Sequence, residues 1–150
     1  MGQGCKMKEF KDSLNELLTL NNMRPIDLSR KLKIDHTIIG DWLNHNAVPK
    51  LDKLIKVADF FDCSLDYLLQ RSDIKEYSKS SVSVSFFERL NILISERKSC
   101  PAKVMDDCKI SRNQFYYWKH GRIPVISTIE SLADYFGCSV DYLVGRSDRR

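Results

Sequence analysis

The sequence predicts an all-α chain built as two tandem five-helix domains. Three observations lead there. The chain repeats itself, because Phe10, Leu14, Leu17, Pro25, Ile34 and Trp42 recur as Phe86, Leu90, Leu93, Pro101, Ile110 and Trp118, each 76 residues on. Beyond the tryptophans the offset falls to 75. There Pro49, Ala58, Phe61, Cys63, Ser64, Asp66, Tyr67, Leu68, Arg71, Ser72 and Asp73 meet Pro124, Ala133, Phe136, Cys138, Ser139, Asp141, Tyr142, Leu143, Arg146, Ser147 and Asp148. So many matches in fixed order, with one inserted residue, mark a tandem duplication. Within each copy the apolar residues recur at the helical period. A length of 150 residues holds one ordinary domain or two small ones with thin cores.

Each copy divides into five short helices. The first carries apolar residues at i, i+4, i+7 and i+8: Phe10, Leu14, Leu17 and Leu18, then Phe86, Leu90, Leu93 and Ile94. Pro25 and Pro101 suit the first turn of a second helix, where a missing N–H costs nothing and φ is already helical. A short turn follows at Lys33 and Lys109. Asp35 and Ser111 are good N-caps for a third helix, since their side-chain oxygens accept from N–H groups that otherwise lack a partner. That helix runs to about Asn44 or Lys119. The stretches 45–49 and 120–124 end it. The fourth helix sets Leu51, Leu54, Val57, Ala58 and Phe61 toward the core, matched by Ile126, Ile129, Leu132, Ala133 and Phe136. Ser64 and Ser139 cap a last helix bearing Leu65 and Leu68, or Val140 and Leu143.

The domains are expected at 8–71 and 86–148, with a leader over 1–7 and a linker over 72–85. Within the linker, serine and valine alternate from Lys79 to Ser85 without a helical period; a short strand is the alternative. The amino-terminal Met-Gly-Gln-Gly-Cys-Lys lacks the apolar core of a secretory signal, and Lys6 stands where an acylation motif wants serine or threonine. No apolar run approaches the roughly 20 residues that span a bilayer. A cytoplasmic protein off the membrane is expected.

Five cysteines, none in a C-x-x-C pair, indicate neither a disulfide framework nor a zinc knuckle and fit a reducing compartment. Cys63 and Cys138 read as small buried hydrophobes, while Cys100 and Cys108 leave a redox role open. Catalysis finds no foothold. His36, His45 and His120 do not combine with the cysteines at metal spacing, and G-x-S-x-G, H-E-x-x-H and a Gly-rich phosphate loop are absent. Asp106 and Asp107 are helix neighbours that point to different faces, which suits solvation or capping better than acid–base work. No enzyme, cofactor, metal or small-molecule substrate is expected. Lysine and arginine outnumber aspartate and glutamate by 24 to 20, a formal charge of +4. The surplus lies mostly in residues 76–150, with 12 basic and 9 acidic side chains against 12 and 11 in 1–75. It permits a polyanionic partner.

Residues 28–42 (L-S-R-K-L-K-I-D-H-T-I-I-G-D-W) and 104–118 (V-M-D-D-C-K-I-S-R-N-Q-F-Y-Y-W) resemble the helix-turn-helix core of the phage-repressor and Cro-like (XRE) family. The closing D-C-S-L-D-Y-L-L and G-C-S-V-D-Y-L-V resemble its C-terminal helices. The resemblance implies two lambda-repressor-like helix-turn-helix domains, whose third helix lies in the major groove of double-stranded DNA. Three departures stand out. Arg24-Pro25 and Cys100-Pro101 replace the usual Ser/Thr-Gln, Lys33 and Lys109 replace the turn glycine, and Leu43-Asn44-His45 and Lys119-His120-Gly121 replace Glu-Asn-Gly.

With Phe115 and Trp118 turned inward, the outward positions of the second copy are Arg112, Asn113, Gln114 and Tyr117, followed by Lys119, His120 and Arg122. Arginine binds guanine O6 and N7 in a bidentate manner, asparagine and glutamine do the same to adenine N6 and N7, and trailing cations suit phosphates. In the first copy Ile39 and Trp42 turn inward. That leaves His36, Thr37, Ile38 and Asp41, with Asn44, His45 and Asn46 behind. Thr37 suits a thymine methyl and Asp41 a cytosine N4, with Arg24, Arg30 and Lys31 supplying phosphate contact.

The expectation is a sequence-specific transcriptional regulator, a repressor of phage or mobile-element type, in which the second domain is the stronger reader. Its partners would be double-stranded DNA and a second copy of itself. Two domains on one face of a duplex would set half-sites roughly 34 Å apart that need not be palindromic. The alternative is a protein-interaction module on the same scaffold, docking through Tyr116, Tyr117, Ile38 and Leu43.

Overall fold

The apolar stripes fold as their spacing requires. A computed structural model describes residues 10–45 and 47–150; the leader expected over 1–7 and Asn46 lie outside them. The chain divides between Glu76 and Tyr77 into two units. The first holds α1 (Phe10–Leu20), α2 (Pro25–Leu32), α3 (His36–Asn44), α4 (Leu51–Phe61) and α5 (Leu65–Leu68). In the second stand α6 (Phe86–Glu96), α7 (Pro101–Asp107), α8 (Asn113–Lys119), α9 (Ile126–Phe136) and α10 (Val140–Leu143). All regular structure among the described residues is helical.

In the first unit α1 packs on α3 and α5, and α2 on α3 and α4. Leu14, Leu28, Ile39, Leu54, Leu65 and Leu68 are completely enclosed there, as are Leu90, Met105, Ile129, Leu132 and Leu143 in the second unit. Each such side chain contributes about 1.5–3 kcal/mol of burial. Pro25 and Pro101 open α2 and α7. Ser64 and Ser139 cap the last helices, accepting from the N–H of Tyr67 and Tyr142 at 3.0 Å.

The structure corrects three expectations. Ser111 does not cap α8: its hydroxyl donates to Asn113 Oδ1 at 2.6 Å, Arg112 takes helical angles, and the helix opens through a tight turn from Gln114 N–H to the Ser111 carbonyl. Phe61 is half-buried where its counterpart Phe136 is buried. The reason is a neighbour, since the Arg97 guanidinium lies 5.1 Å over Phe136 and the matched residue in the first copy is the short Asn21. Phe115 is likewise half-buried, its ring resting 4.9 Å from Phe87.

Left-handed backbone recurs at matched positions: Asn22 and Lys98, Lys33 and Lys109, Asp62 and Gly137, Gln70 and Gly145. Lys33 and Lys109 have φ of 56° and 59°, a conformation that crowds Cβ against the backbone in any residue but glycine. The turn keeps the shape glycine would give it, at a cost.

Residues between the domains are held locally. Ser64 N–H donates to the Lys75 carbonyl at 2.7 Å and its hydroxyl to that of Ile74 at 2.9 Å. Lys79 forms an isolated antiparallel bridge with Ser147, and no strand forms over the described residues 79–85. Ser80 N–H donates to the Arg146 carbonyl, and Asp148 accepts from the Ser80 hydroxyl at 2.7 Å. A Cβ at Gly145 would stand 1.9 Å from the Val84 carbonyl oxygen, so only glycine fits there. Arg146 joins this clasp by donating to the Tyr77 hydroxyl at 2.8 Å while pairing with Asp141 at 2.5 Å.

Lys109→Gly should raise the urea-unfolding free energy by about 0.5–1 kcal/mol by relieving the left-handed φ; a decrease would contradict the turn geometry. Asp141 and Arg146 are only 3% and 8% exposed, so Asp141→Ala removes the carboxylate beside a buried guanidinium and should cost about 3–5 kcal/mol. Amide exchange in α9 and α10 reads that loss. Asp66→Ala should cost less, because the matched Asp66–Arg71 pair is 13% and 21% exposed.

Candidate nucleic-acid interface

The third helix of each copy is anchored by its tryptophan. Trp42 is 2% exposed and meets the Phe10 ring edge-on at 5.6 Å; Trp118 is 3% exposed and meets Phe86 in the same way at 5.4 Å. The Trp118 indole N–H is buried with no hydrogen-bond partner among the described residues. Ring packing therefore orients the side chain, and with the tryptophan side of the helix turned to the core the opposite side of α8 is presented to solvent.

On α8 and its approach, Arg112, Asn113, Tyr117, Lys119, His120 and Arg122 are exposed and Gln114 is half-buried. They do not stand free of one another. Arg112 Nε donates to Asp106 Oδ1 at 2.9 Å and Nη2 to Oδ2, a two-pronged pair. Asn113 accepts from Ser111. The Arg122 guanidinium stacks 4.7 Å over the Tyr117 ring, Tyr116 lies edge-on to Tyr117 at 5.8 Å, and His120 packs 4.2 Å from Tyr116. His120 Nδ1 also lies 2.9 Å from the Tyr116 carbonyl. The result is a cationic and aromatic surface with polar base-sized donors at its leading end.

The α3 surface has a different chemistry. Asp35 caps the helix, accepting from Thr37 N–H at 2.8 Å and the Thr37 hydroxyl at 2.7 Å. The Thr37 hydroxyl proton is thereby committed. His36 lies 3.7 Å from Asp35, and Asp41 lies 3.0 Å from His45. His36, Thr37, Asp41 and Asn44 are all exposed, while Ile38 and Leu43 are half-buried. Arg24 is turned back onto Asp27, with Nε and Nη2 each at 3.2 Å. Five cations accompany two carboxylates from Lys103 to Arg122, against four and three from Arg24 to Asp41.

Residues 14–68 match the family described as Helix-turn-helix, and residues 89–148 match the family described as Cro/C1-type HTH DNA-binding domain. The chain carries two tandem helix-turn-helix domains, the second of the Cro/C1 type. No curated protein and no solved structure matches it. As a tandem helix-turn-helix protein it is a DNA-binding regulator. No helix among the described residues is long and apolar enough to cross a membrane.

In this tandem helix-turn-helix protein the sequence missed Asp106, which meets Arg112 across the turn. They stand six positions apart, a spacing outside the helical i,i+3 and i,i+4 rule, so periodicity gave no signal. Its neighbour Asp107 has partners of its own: the Tyr135 hydroxyl donates to it at 2.7 Å and Lys103 lies at 3.3 Å. Among the cysteines, Cys63 and Cys138 are buried, Cys108 half-buried and Cys100 exposed. Burial pushes the Cys108 thiol up, away from the thiolate a reactive cysteine needs.

Hydrogen bonds from Arg112 hold the Asp106 carboxyl below the usual range, and those from Tyr135 and Thr37 do the same for Asp107 and Asp35. A depressed folded-state value means that the pairing is complete above the ordinary carboxylate range and is lost as pH falls through the depressed value. Carbon NMR titration of these three carboxyl groups should give midpoints below the ordinary aspartate value of about 3.9. Midpoints at or above it would contradict the pairing.

Proposed function

We propose that this protein is a sequence-specific transcriptional repressor in which the second domain carries the main base-reading surface and the first domain assists. The observation that carries this reading is the contrast between the two third helices. At the front of α8 stand Arg112, Asn113 and Gln114, side chains whose donors match guanine or adenine edges, with Lys119 and Arg122 behind them for phosphates. The α3 surface instead offers two carboxylates, Asp35 and Asp41, to a polyanion. There His36 and Asn44 are further polar contacts, the Thr37 methyl suits thymine, and Asp41 can only accept, as from cytosine N4. A repressor of this design occupies two unlike half-sites, and the tether between its domains raises the effective concentration of the second contact.

A protein-docking reading draws on the exposed Tyr116 and Tyr117, 59% and 37% accessible, and on Ile123 and Val125. Salt separates the two readings. Association through several phosphates falls steeply between about 50 and 200 mM salt, whereas an apolar protein contact changes little.

The test starts with selection from random duplex oligonucleotides by the purified full chain, followed by gel-shift titration of the recovered site. Arg112→Ala should weaken specific binding roughly 10–100-fold while changing binding to random duplex far less. Failure to recover a consensus, or unchanged affinity in the variant, would reject the assignment.

A further inference from the structure

A guanidinium carries five N–H donors arranged along two usable edges. The side edge is formed by Nε and one terminal nitrogen, the end edge by both terminal nitrogens. In Arg112 the side edge is spent on Asp106: Nε meets Oδ1 at 2.9 Å and Nη2 meets Oδ2. Each carboxylate oxygen receives one donor, so the pair fixes both the direction and the plane of the guanidinium. The end edge is left for another acceptor pair, and a guanine offers such a pair in O6 and N7.

Three further observations bear on what this pairing is for. Both side chains are exposed, 66% for Arg112 and 52% for Asp106. An ion pair so open to water contributes little to folding. Asp107, the adjacent carboxylate, is engaged by Tyr135 and Lys103 and does not compete for the arginine. Finally, the arrangement is confined to the second copy. The residues at the matched positions are Arg30 and His36, two groups that cannot form it.

We propose that Asp106 is a positioning residue that holds Arg112 side-on, so that its end edge meets a guanine in the major groove. This deepens the base-reading role given to Arg112 above and rests on it. The arginine gives up its rotamer freedom before DNA arrives, which lowers the ordering cost of the contact. A carboxylate at this surface also repels phosphates wherever no guanine rewards the arrangement. Asp106 therefore favours discrimination at the expense of indiscriminate affinity.

The opposed signs make the proposal testable. Full-length protein is titrated with three duplexes: one recovered by selection from random oligonucleotides, the same duplex with the Arg112-dependent guanine replaced by adenine, and a random-sequence duplex of equal length. For Asp106→Ala the guanine-over-adenine preference should fall about five-fold or more, while affinity for the random duplex stays equal or rises. Asp106→Glu, which keeps the carboxylate, should recover part of the preference; Asp106→Asn, which keeps the shape without the charge, should recover less.

Two outcomes overturn the proposal while leaving the reading of Arg112 intact. One is full guanine preference in both Asp106→Ala and Asp106→Asn. The other is tighter binding to the selected duplex with unchanged preference, which would make Asp106 only a competitor for the arginine. If Arg112→Ala itself leaves the preference intact, the base-reading role and the positioning role fall together. Thermal unfolding of each variant separates these effects from a loss of fold.

Discussion

The edge-on packing of a tryptophan against the first aromatic residue of each domain is the contact on which the rest depends. Trp42 on Phe10 and Trp118 on Phe86 hold the third helix against the first. An edge-to-face pair of this kind has a directional preference that aliphatic packing lacks. Once the tryptophan is buried, helix geometry decides which residues face outward. Arg112, Tyr117 and Arg122 owe their exposure to where Trp118 sits, as Thr37 and Asp41 owe theirs to Trp42.

Duplication then allowed the two copies to change everything outside that frame. The helix-opening prolines, the left-handed turn lysines and the capping serines Ser64 and Ser139 recur, and the enclosed positions stay apolar with exchanges such as Leu28 for Val104. The larger differences between the copies are in polar chemistry. Ser13 donates to the Tyr67 carbonyl at 3.0 Å, while its counterpart Arg89 stacks 3.9 Å over the Tyr142 ring. Gly40 and Asp41 give way to Tyr116 and Tyr117, and the surface changes from acidic to cationic and aromatic. One backbone scaffold thus presents two surfaces of different chemistry, which is the physical ground for the proposed repressor with unlike half-sites.

Most of the fold was legible because helical periodicity and local capping speak directly to backbone structure. Pro25, Pro101, Ser64 and Ser139 stand where their chemistry demands. Ser111 misled because an N-cap needs extended backbone at its own position, and the chain instead begins its turn through Arg112. Phe61 was misplaced because its copy has Asn21 where Arg97 covers the counterpart Phe136, and Phe115 because its ring rests against Phe87, neighbours that no local pattern reveals. The same limit applied to the candidate site. The exposed residues of α8 followed from the tryptophan's phase, but the Asp106 pairing arises where the chain reverses between helices, and only the folded turn brings those side chains together.

The proposed place where DNA is read is the outward face of α8. Amide chemical-shift mapping of the full chain, titrated with a selected duplex, tests it most directly. The largest perturbations should run from Arg112 to Arg122, with smaller ones from His36 to His45. Perturbations confined to α3, or centred on α6 and α9 while Asn113 to Tyr117 stay unmoved, would contradict it.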